Sequence, residues 1–235
     1  MEEFASIEGC LICGKELVYS QSAYKAVCCG CGEKLDTNAA CTDGHFICDA
    51  CHAEEALPVI YYYCTETDSR DPIEIACAIM RHPAIHMHGP ENHVLIGSAL
   101  LAAWYNCGGD IDLPGSLKIM RERGSQLPGG ICGLWGNCGA AVSAGIFLSI
   151  VTDGTPLNGE SRKLSNLLTS ECLKKTSEYS GARCCKRDGF FAIETAADFV
   201  ADNFGVLMEL PEDFTCEFYP RNEECLKKNC PFFVA

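Results

Sequence analysis

The chain has 235 residues, of which 48% are hydrophobic, and its formal net charge is −14. This length suits one large domain, or a large domain with a small appendage, and the apolar content is enough to bury a core. Phosphate groups are bound by basic surfaces, so the acidic balance argues against nucleic acids and anionic membranes as partners. The longest apolar stretches, such as residues 140–151, are too short to span a bilayer.

Nineteen cysteines are the most unusual feature of the composition. The opening MEEFASIEGC is acidic and lacks the apolar run of a secretory leader, so we expect a cytoplasmic protein. In that reducing compartment thiols stay free or bind metal, and an odd number of cysteines fits a complete disulfide set poorly. The composition therefore favours metal binding.

The cysteines divide the chain into two parts. Residues 1–53 hold eight cysteines and few large aliphatic side chains, so this segment needs a staple in order to fold. We predict a small zinc-binding module of the zinc-ribbon or treble-clef type over residues 1–53. A mostly α-helical, cysteine-rich domain is predicted over residues 54–235.

The cysteine spacing in the first part predicts two tetrahedral zinc sites. Paired cysteines with two residues between them let a tight turn bring two thiolates to one ion, and zinc binding would supply folding free energy. The predicted ligands are Cys10, Cys13, Cys28, Cys31, Cys41, His45, Cys48 and Cys51. Sequential and cross-braced pairings use the same eight residues, and Cys29 and His52 are spares that could replace a neighbour. Closed four-ligand sites favour a structural role over a catalytic one.

Apolar periodicity in the second part predicts helices over residues 71–82, 91–106, 138–151 and 192–205. The first of these opens on Asp-Pro, a polar cap followed by a proline in the first turn. Residues 128–145 are rich in glycine and small side chains, which predicts a loop followed by a helix. No strand alternation appears after residue 65.

A histidine-rich turn precedes the second of these helices, and residues 81–97 contain four of the six histidines. Polar, titratable groups are concentrated there at a helix amino terminus, which is a natural anion site. We predict Glu91, His93 and His88 as catalytic acid–base residues and His86 as a substrate contact. Alternatively, His86 and His88 bind metal, or the histidines only pack and bond locally.

Seven cysteines of the second part are candidate ligands of an iron–sulfur cluster, with a 4Fe–4S cluster favoured over zinc or free thiols. They are Cys132, Cys138, Cys184, Cys185, Cys216, Cys225 and Cys230. Four thiolates would hold one cluster, and three would leave an iron open to substrate. Both adjacent thiols of Cys184 and Cys185 on one ion would be strained, so we expect one of the two to be a ligand.

Three basic residues, Arg183, Lys186 and Arg187, surround the adjacent cysteines in ARCCKRDG. Nearby positive charge lowers the pKa of a thiol, so we expect these residues to favour the thiolate. They would also offset the negative charge of a cluster, or bind the carboxylate or phosphate of a substrate. The alternative is a solvated basic turn.

The stretches MHGPENHVLIGSALLAA, PGGICGLWGNCGAA, GARCCKR and NCPFF together resemble the cysteine-rich domain of unknown function family 5714. The resemblance covers nearly the whole chain, including the CxxCG and GHFICDACH pieces. One departure is Asn92, because the family usually reads closer to GPEHH in this turn. The resemblance implies an anaerobic source and an association with SAM-dependent methyltransferases, beside or fused to which such domains occur. The chain itself lacks a strand followed by a glycine-rich nucleotide loop.

Together these features predict a metalloprotein of an anaerobe with structural zinc and an iron–sulfur cluster that acts on a small anionic substrate. Sulfur transfer, desulfidation and lyase-type chemistry are the expected reaction types. Two alternatives remain open at this point. One is a non-catalytic metal-binding or redox partner of a SAM-dependent methyltransferase, and the other is a metal-handling protein.

Overall fold

The structure is a computed structural model that describes residues 9–234. A β-hairpin of β1 (Leu17–Val27) and β2 (Lys34–Cys41) comes first, and within the described residues nine helices follow it. The helices are α1 (Asp49–Ala53), α2 (Ala56–Glu66), α3 (Pro72–Met80), α4 (Glu91–Asn106), α5 (Leu113–Gly124), α6 (Ile131–Leu134), α7 (Gly139–Val151), α8 (Gly159–Ser177) and α9 (Cys185–Phe204). The C-terminal segment contains two short 3-10 turns, at Tyr219–Arg221 and Lys227–Asn229. The predicted order, a small cysteine-rich region followed by a mostly helical body, is confirmed.

The hairpin positions ligands and contributes little to a hydrophobic core. Its strands are antiparallel, with Leu17 opposite Cys41 and Val27 opposite Lys34, and the register shifts between Tyr19 and Tyr24. None of the β1 side chains is buried. A two-stranded hairpin without a packed face is marginal in water, which supports the inference that this region needs a staple. Its particular class, zinc ribbon or treble clef, stays a prediction.

Helix α4 is the centre of the helical body. Every residue from Glu91 to Trp104 is buried, as expected of a helix that is covered on all sides. Helices α2, α3, α5, α7 and α9 pack around it. Ser143 Oγ of α7 accepts a hydrogen bond from the Gly97 N–H at 2.8 Å and donates one to the His93 carbonyl at 2.6 Å. This close approach fixes α7 against the start of α4.

Three of the four predicted helices begin and end within two residues of the predicted bounds. The predicted cap is confirmed, since Asp71 Oδ1 accepts from the Ile73 and Glu74 N–H groups at 2.8 and 3.1 Å. The fourth prediction began too late, because α9 starts at Cys185 rather than at residue 192. The residues between these positions are buried in the first turns of α9. Beyond residue 65 the described chain contains no strand, as expected.

Several side chains of the hairpin region and of α1 contact the helical body. Asp49 Oδ2 accepts from the Gly129 N–H at 2.8 Å, and the rings of His52 and His86 lie 4.4 Å apart. The Arg183 guanidinium donates to the Tyr19 hydroxyl and lies over the Tyr19 ring. None of the described helices is both long and apolar enough to cross a membrane.

Candidate metal centres

The first group of possible metal ligands joins the start of the described chain to the end of the hairpin. It consists of Cys10, Cys13, Cys41 and His45. The Cys13 and Cys41 sulfurs are 3.8 Å apart, and His45 Nδ1 lies 3.4 Å from the first and 3.5 Å from the second. Four ligands around a tetrahedral zinc with about 2.3 Å Zn–S bonds place their sulfurs about 3.8 Å apart, so this group has the size of a single-ion site.

The second group consists of Cys28, Cys31, Cys48 and Cys51. Cys28 follows β1, whereas Cys48 precedes α1 and Cys51 lies within α1. The Cys31 and Cys48 sulfurs are 4.0 Å apart. Burial raises the pKa of the Cys28 thiol, but N–H groups of Cys48, Cys31 and Gly30 point at its sulfur and the pKa falls to about 6. A thiolate is therefore stabilised where a metal ligand needs one.

The two groups are interleaved along the chain. The first and third ligand pairs form one group, and the second and fourth pairs form the other. Of the two pairings that the sequence left open, the structure has the cross-braced one. This arrangement ties the open end of the hairpin to the segment before it, and the turn end of the hairpin to the start of α1. Cys29 is exposed and belongs to neither group.

A third group lies between α1 and the helical body and contains His52, His86 and Glu91. The Glu91 side chain is completely buried in the first turn of α4. Its Oε2 is 3.0 Å from His52 Nδ1, and its Oε1 is 3.3 Å from His86 Nδ1. Burial alone would raise the pKa of this carboxyl, but the two imidazoles lower it to about 2. Glu91 is therefore an anion at neutral pH.

Of the predicted acid–base residues, the structure does not bring His88 and His93 to Glu91. His88 Nε2 is 3.5 Å from a Glu224 carboxylate oxygen, and burial lowers the pKa of His88 to about 4. His93 Nδ1 lies 3.1 Å from the Leu127 carbonyl oxygen, and its ring packs against Gly139. His93 thus fixes the glycine-rich loop, and only His86 among the other predicted histidines shares the Glu91 site.

The three basic residues of ARCCKRDG have separate surroundings. Arg183 contacts Tyr19, and Arg187 Nε donates to Asp188 Oδ1 at 2.9 Å. Lys186 is fully buried, and its Nζ donates to the His86 carbonyl at 2.8 Å and to Asn92 Oδ1 at 2.9 Å. The alternative of a solvated basic turn is therefore wrong for Lys186 and Arg187.

Four of the seven candidate cluster ligands line one small pocket beside the start of α9: Cys184, Cys216, Cys225 and Cys230. The pocket is closed by Arg187, Asn222 and apolar side chains that include Met87 and Phe232. Donors point at two of the sulfurs. Cys184 Sγ accepts from the Arg187 N–H and from Asn222 Nδ2, both at 3.4 Å, and Cys225 Sγ accepts from the Lys227 N–H at 3.3 Å.

The other three candidates lie elsewhere. Cys132 is exposed on α6, and Cys138 is buried immediately before α7. The Cys185 sulfur receives the Gly89 N–H instead of facing the pocket. Only one of the two adjacent thiols, that of Cys184, therefore lines the four-cysteine pocket.

The expectation that the neighbouring cations make these thiols into resting thiolates is wrong. Burial raises the pKa of Cys184 to about 11 and that of Cys185 to about 12, although Arg187 and Lys186 oppose the shift. Desolvation of the charged form outweighs the attraction, because the thiols lie in a largely apolar pocket and core. A bound cation would be needed to deprotonate them.

Sequence reasoning missed two participants. His52 was only a spare zinc ligand, yet it contacts Glu91, and Asn222 was not singled out, yet it donates to Cys184. Neither contact has a local signal, because His52 is far from Glu91 in sequence and Asn222 lies in an irregular segment.

Interleaved four-ligand groups and a four-cysteine pocket on a helical body define a cysteine-rich metal-binding protein. The chain belongs to the Family of unknown function (DUF5714), whose model matches residues 60–233. The matched region contains Glu91, His86 and the four-cysteine pocket. The expected resemblance of the CxxCG and GHFICDACH pieces is not shown, because the hairpin region lies outside the match. The chain matches no curated protein and no solved structure.

Proposed function

We propose that this chain is an iron–sulfur metalloprotein in which two zinc ions staple the amino-terminal module and a 4Fe–4S cluster occupies the helical domain. The convergence of Cys184, Cys216, Cys225 and Cys230 on one pocket carries the proposal. Four thiolates are the usual ligand set of such a cluster. The pocket supplies that number from two parts of the chain, the start of α9 and the C-terminal segment.

The spacing of the four thiols favours a cluster over a single ion. Within residues 9–234, three groups bring their ligand atoms within 4.8 Å of one another, and these four thiols are not among them. A single tetrahedral ion needs sulfurs about 3.8 Å apart, whereas a cluster binds each thiolate to a different iron and needs more room. The N–H groups that point at Cys184 and Cys225 are the kind of donors that tune the potential of a cluster.

The ligand number favours electron transfer as the role of this cluster. Four thiolates would occupy the outer position of all four irons, so none would be open to a substrate. Arg187 lines the same pocket and would offset part of the negative charge of the cluster. The chain would then act as a redox partner, for which a SAM-dependent methyltransferase is one candidate in the cytoplasm of an anaerobe.

Zinc is proposed for the two interleaved groups on the basis of their donors. One offers three thiolates and an imidazole, and the other offers four thiolates. Both are closed tetrahedral sets typical of structural zinc, with no position left for a substrate. Their role would be to fold a hairpin that buries too little apolar surface to be stable alone.

A second candidate function is catalysis on a small anionic substrate by sulfur transfer, desulfidation or lyase-type chemistry. One observation favours it: Glu91 is buried and ionised between two imidazoles, an arrangement that can move or hold protons. His86 would contact the substrate, since its imidazole is partly exposed beside Glu91. This candidate needs a substrate-accessible group that the four-cysteine pocket alone does not offer.

Anaerobic purification followed by iron, zinc and acid-labile sulfide analysis tests the proposal. We expect about four irons and about four sulfides per chain, in addition to zinc. Cys184→Ser should lose most of the iron, while Cys185→Ser, a matched change of the adjacent thiol, should retain it. Zinc without sulfide in the anaerobic protein, or equal iron in both variants, would overturn the cluster assignment.

Electron paramagnetic resonance of the dithionite-reduced protein separates the two roles. A reversible one-electron signal that small anions leave unchanged supports electron transfer. A signal that shifts when a thiol or carboxylate substrate is added requires an open iron and supports catalysis.

A further inference from the structure

The third ligand group has the composition of an open metal site. We propose that His52, His86 and Glu91 bind a third metal ion, a first-row divalent cation, at the junction of the amino-terminal module and the helical body. One ligand atom from each residue lies within 4.8 Å of the other two. The site is separate from the zinc and cluster positions proposed above and goes beyond them.

The donors suit this class of ion. Two imidazoles and one carboxylate form the protein ligand set of many catalytic zinc sites and of non-haem ferrous sites. Three protein ligands leave at least one coordination position for water or for an anion. This openness distinguishes the group from the two thiolate sets, each of which offers four ligands.

The main alternative is a hydrogen-bonded His–Glu–His triad without metal. His52 fits either arrangement, because its Nδ1 lies 3.0 Å from Glu91 Oε2. His86 fits the triad less well, since its buried Nδ1 is 3.3 Å from Glu91 Oε1 but makes no hydrogen bond. A cation bound between His86 Nδ1 and the Glu91 carboxylate would give this buried nitrogen a partner and would be coordinated by the carboxylate as well.

The surroundings hold the carboxylate in place from two sides. The His86 N–H donates to Glu91 Oε1 at 3.0 Å, so the carboxylate is oriented before any ion binds. Gly89 faces the same group, and a Cβ there would collide with the Glu91 carboxylate and the His52 ring. Supporting contacts of this kind are typical of metal sites.

Lys186 and Asn92 support the backbone that carries His86 and Glu91. The Lys186 ammonium donates to Asn92 Oδ1 and to the His86 carbonyl, which anchors the start of α4 and the preceding turn relative to each other. The imidazoles of His52 and His86 are 18% and 28% exposed, while Glu91 is fully buried. Water or an anion would therefore reach the ion from the imidazole side.

Cobalt binding by the anaerobically prepared full-length protein tests the proposal. We expect Glu91→Gln and His86→Gln each to bind one Co²⁺ fewer per chain than the unsubstituted protein. The difference spectrum should contain weak d–d bands without sulfur-to-cobalt charge transfer, because the lost ion has only nitrogen and oxygen ligands. His82→Gln is the matched control, since His82 lies outside the group, and should bind as many ions as the unsubstituted protein.

Circular dichroism and thermal unfolding establish that the variants are folded. His86 is partly exposed, so His86→Gln keeps the proposal testable if the buried Glu91→Gln change prevents folding. Equal cobalt numbers in His86→Gln and the unsubstituted protein, or a lost ion with thiolate charge transfer, would refute the third site. Iron and sulfide content report on the cluster separately, so failure of one assignment is distinguishable from failure of the other.

Discussion

Replacing Phe190 with alanine should release iron by loosening the C-terminal segment. Phe190 is fully buried on α9, and its ring lies 4.6 Å from Phe214, 5.4 Å from Phe232 and 6.5 Å from Phe218. These rings flank the tail cysteines, and the Cys216 N–H donates to the Phe232 carbonyl at 2.6 Å. The aromatic cluster therefore sets the position of the pocket relative to α9.

The expected size follows from the ring contacts. Removal of a buried phenylalanine costs about 3–5 kcal/mol, and each aromatic pair contributes about 0.5–1.5 kcal/mol. Three pairs at about 1 kcal/mol each correspond to roughly a hundredfold loss in the ratio of docked to undocked tail. Iron per folded chain should fall accordingly in Phe190→Ala.

Phe147→Ala is the matched control. Phe147 is also fully buried, but its ring contacts Trp104 at 6.0 Å and lies away from the tail. This variant should lose comparable global stability, about 3–5 kcal/mol, and keep its iron. The assay combines denaturant unfolding with iron content per folded chain, and the milder pair Phe190→Leu and Phe147→Leu serves if either alanine variant fails to fold. Equal iron loss in the two variants, or full iron in Phe190→Ala, would refute the reasoning.

Three further outcomes are expected. The cross-braced pairing predicts that Cys13→Ser with Cys41→Ser removes one zinc ion, whereas Cys13→Ser with Cys31→Ser removes two, as measured by zinc content. Burial raises the pKa of the Cys172 thiol from 9.0 to about 12. The stability that this thiol contributes is therefore fully present below pH 9, and it is lost at about 1.4 kcal/mol per pH unit as the pH rises from 9 toward 12. In Cys172→Ala, the free energy of unfolding measured with denaturant should fall less steeply over this pH range. Gly89→Ala should lower the melting temperature and the affinity of the third cobalt ion, because a Cβ there collides with Glu91.

Each of these outcomes has a result that contradicts it. A sequential pairing would reverse the zinc losses of the two double variants. Parallel pH dependences of the Cys172→Ala and unsubstituted proteins would mean that this thiol titrates alike in the folded and unfolded chains. Gly133→Ala is the control for the glycine change, since a Cβ at Gly133 meets no atom within 4 Å, and an equal loss in both alanine variants would remove the steric explanation.

Local patterns in the sequence were sufficient to predict a cysteine-rich region followed by a helical body, and to predict most helix bounds. Each CxxC pair lies within a single turn, and the Asp71 cap bonds to residues two and three positions later. Both features can therefore be predicted from a short stretch of sequence. The pairing of the two ligand groups was not visible, because it depends on which loops the hairpin brings together. The start of α9 was misplaced because its charged first turn has no apolar periodicity.

The four-cysteine pocket could not be predicted from the sequence either, because its residues are distant along the chain. The tail thiols converge with Cys184 through the aromatic cluster around Phe190, a tertiary contact between distant segments. The sequence alone indicated seven candidate cysteines, and tertiary packing places four of them around the pocket. The Glu91 group likewise depends on tertiary packing. Helices α2 and α3 separate His52 from Glu91 along the chain, and the two residues meet because the end of α1 lies beside the start of α4.

The burial of Lys186 is best explained by the charges on either side of it. A fully buried ammonium is unfavourable, and burial lowers the pKa of Lys186 to about 8 despite attraction to Cys185 and Glu91. Its two acceptors are neutral oxygens of His86 and Asn92, which an uncharged donor could also satisfy. The positive charge acts instead on the Glu91 carboxylate on one side and on the thiol pair of α9 on the other. If Cys184 binds the proposed cluster as a thiolate, the same ammonium would stabilise that thiolate, so one buried charge would serve both the proposed cluster and the proposed His–Glu–His site.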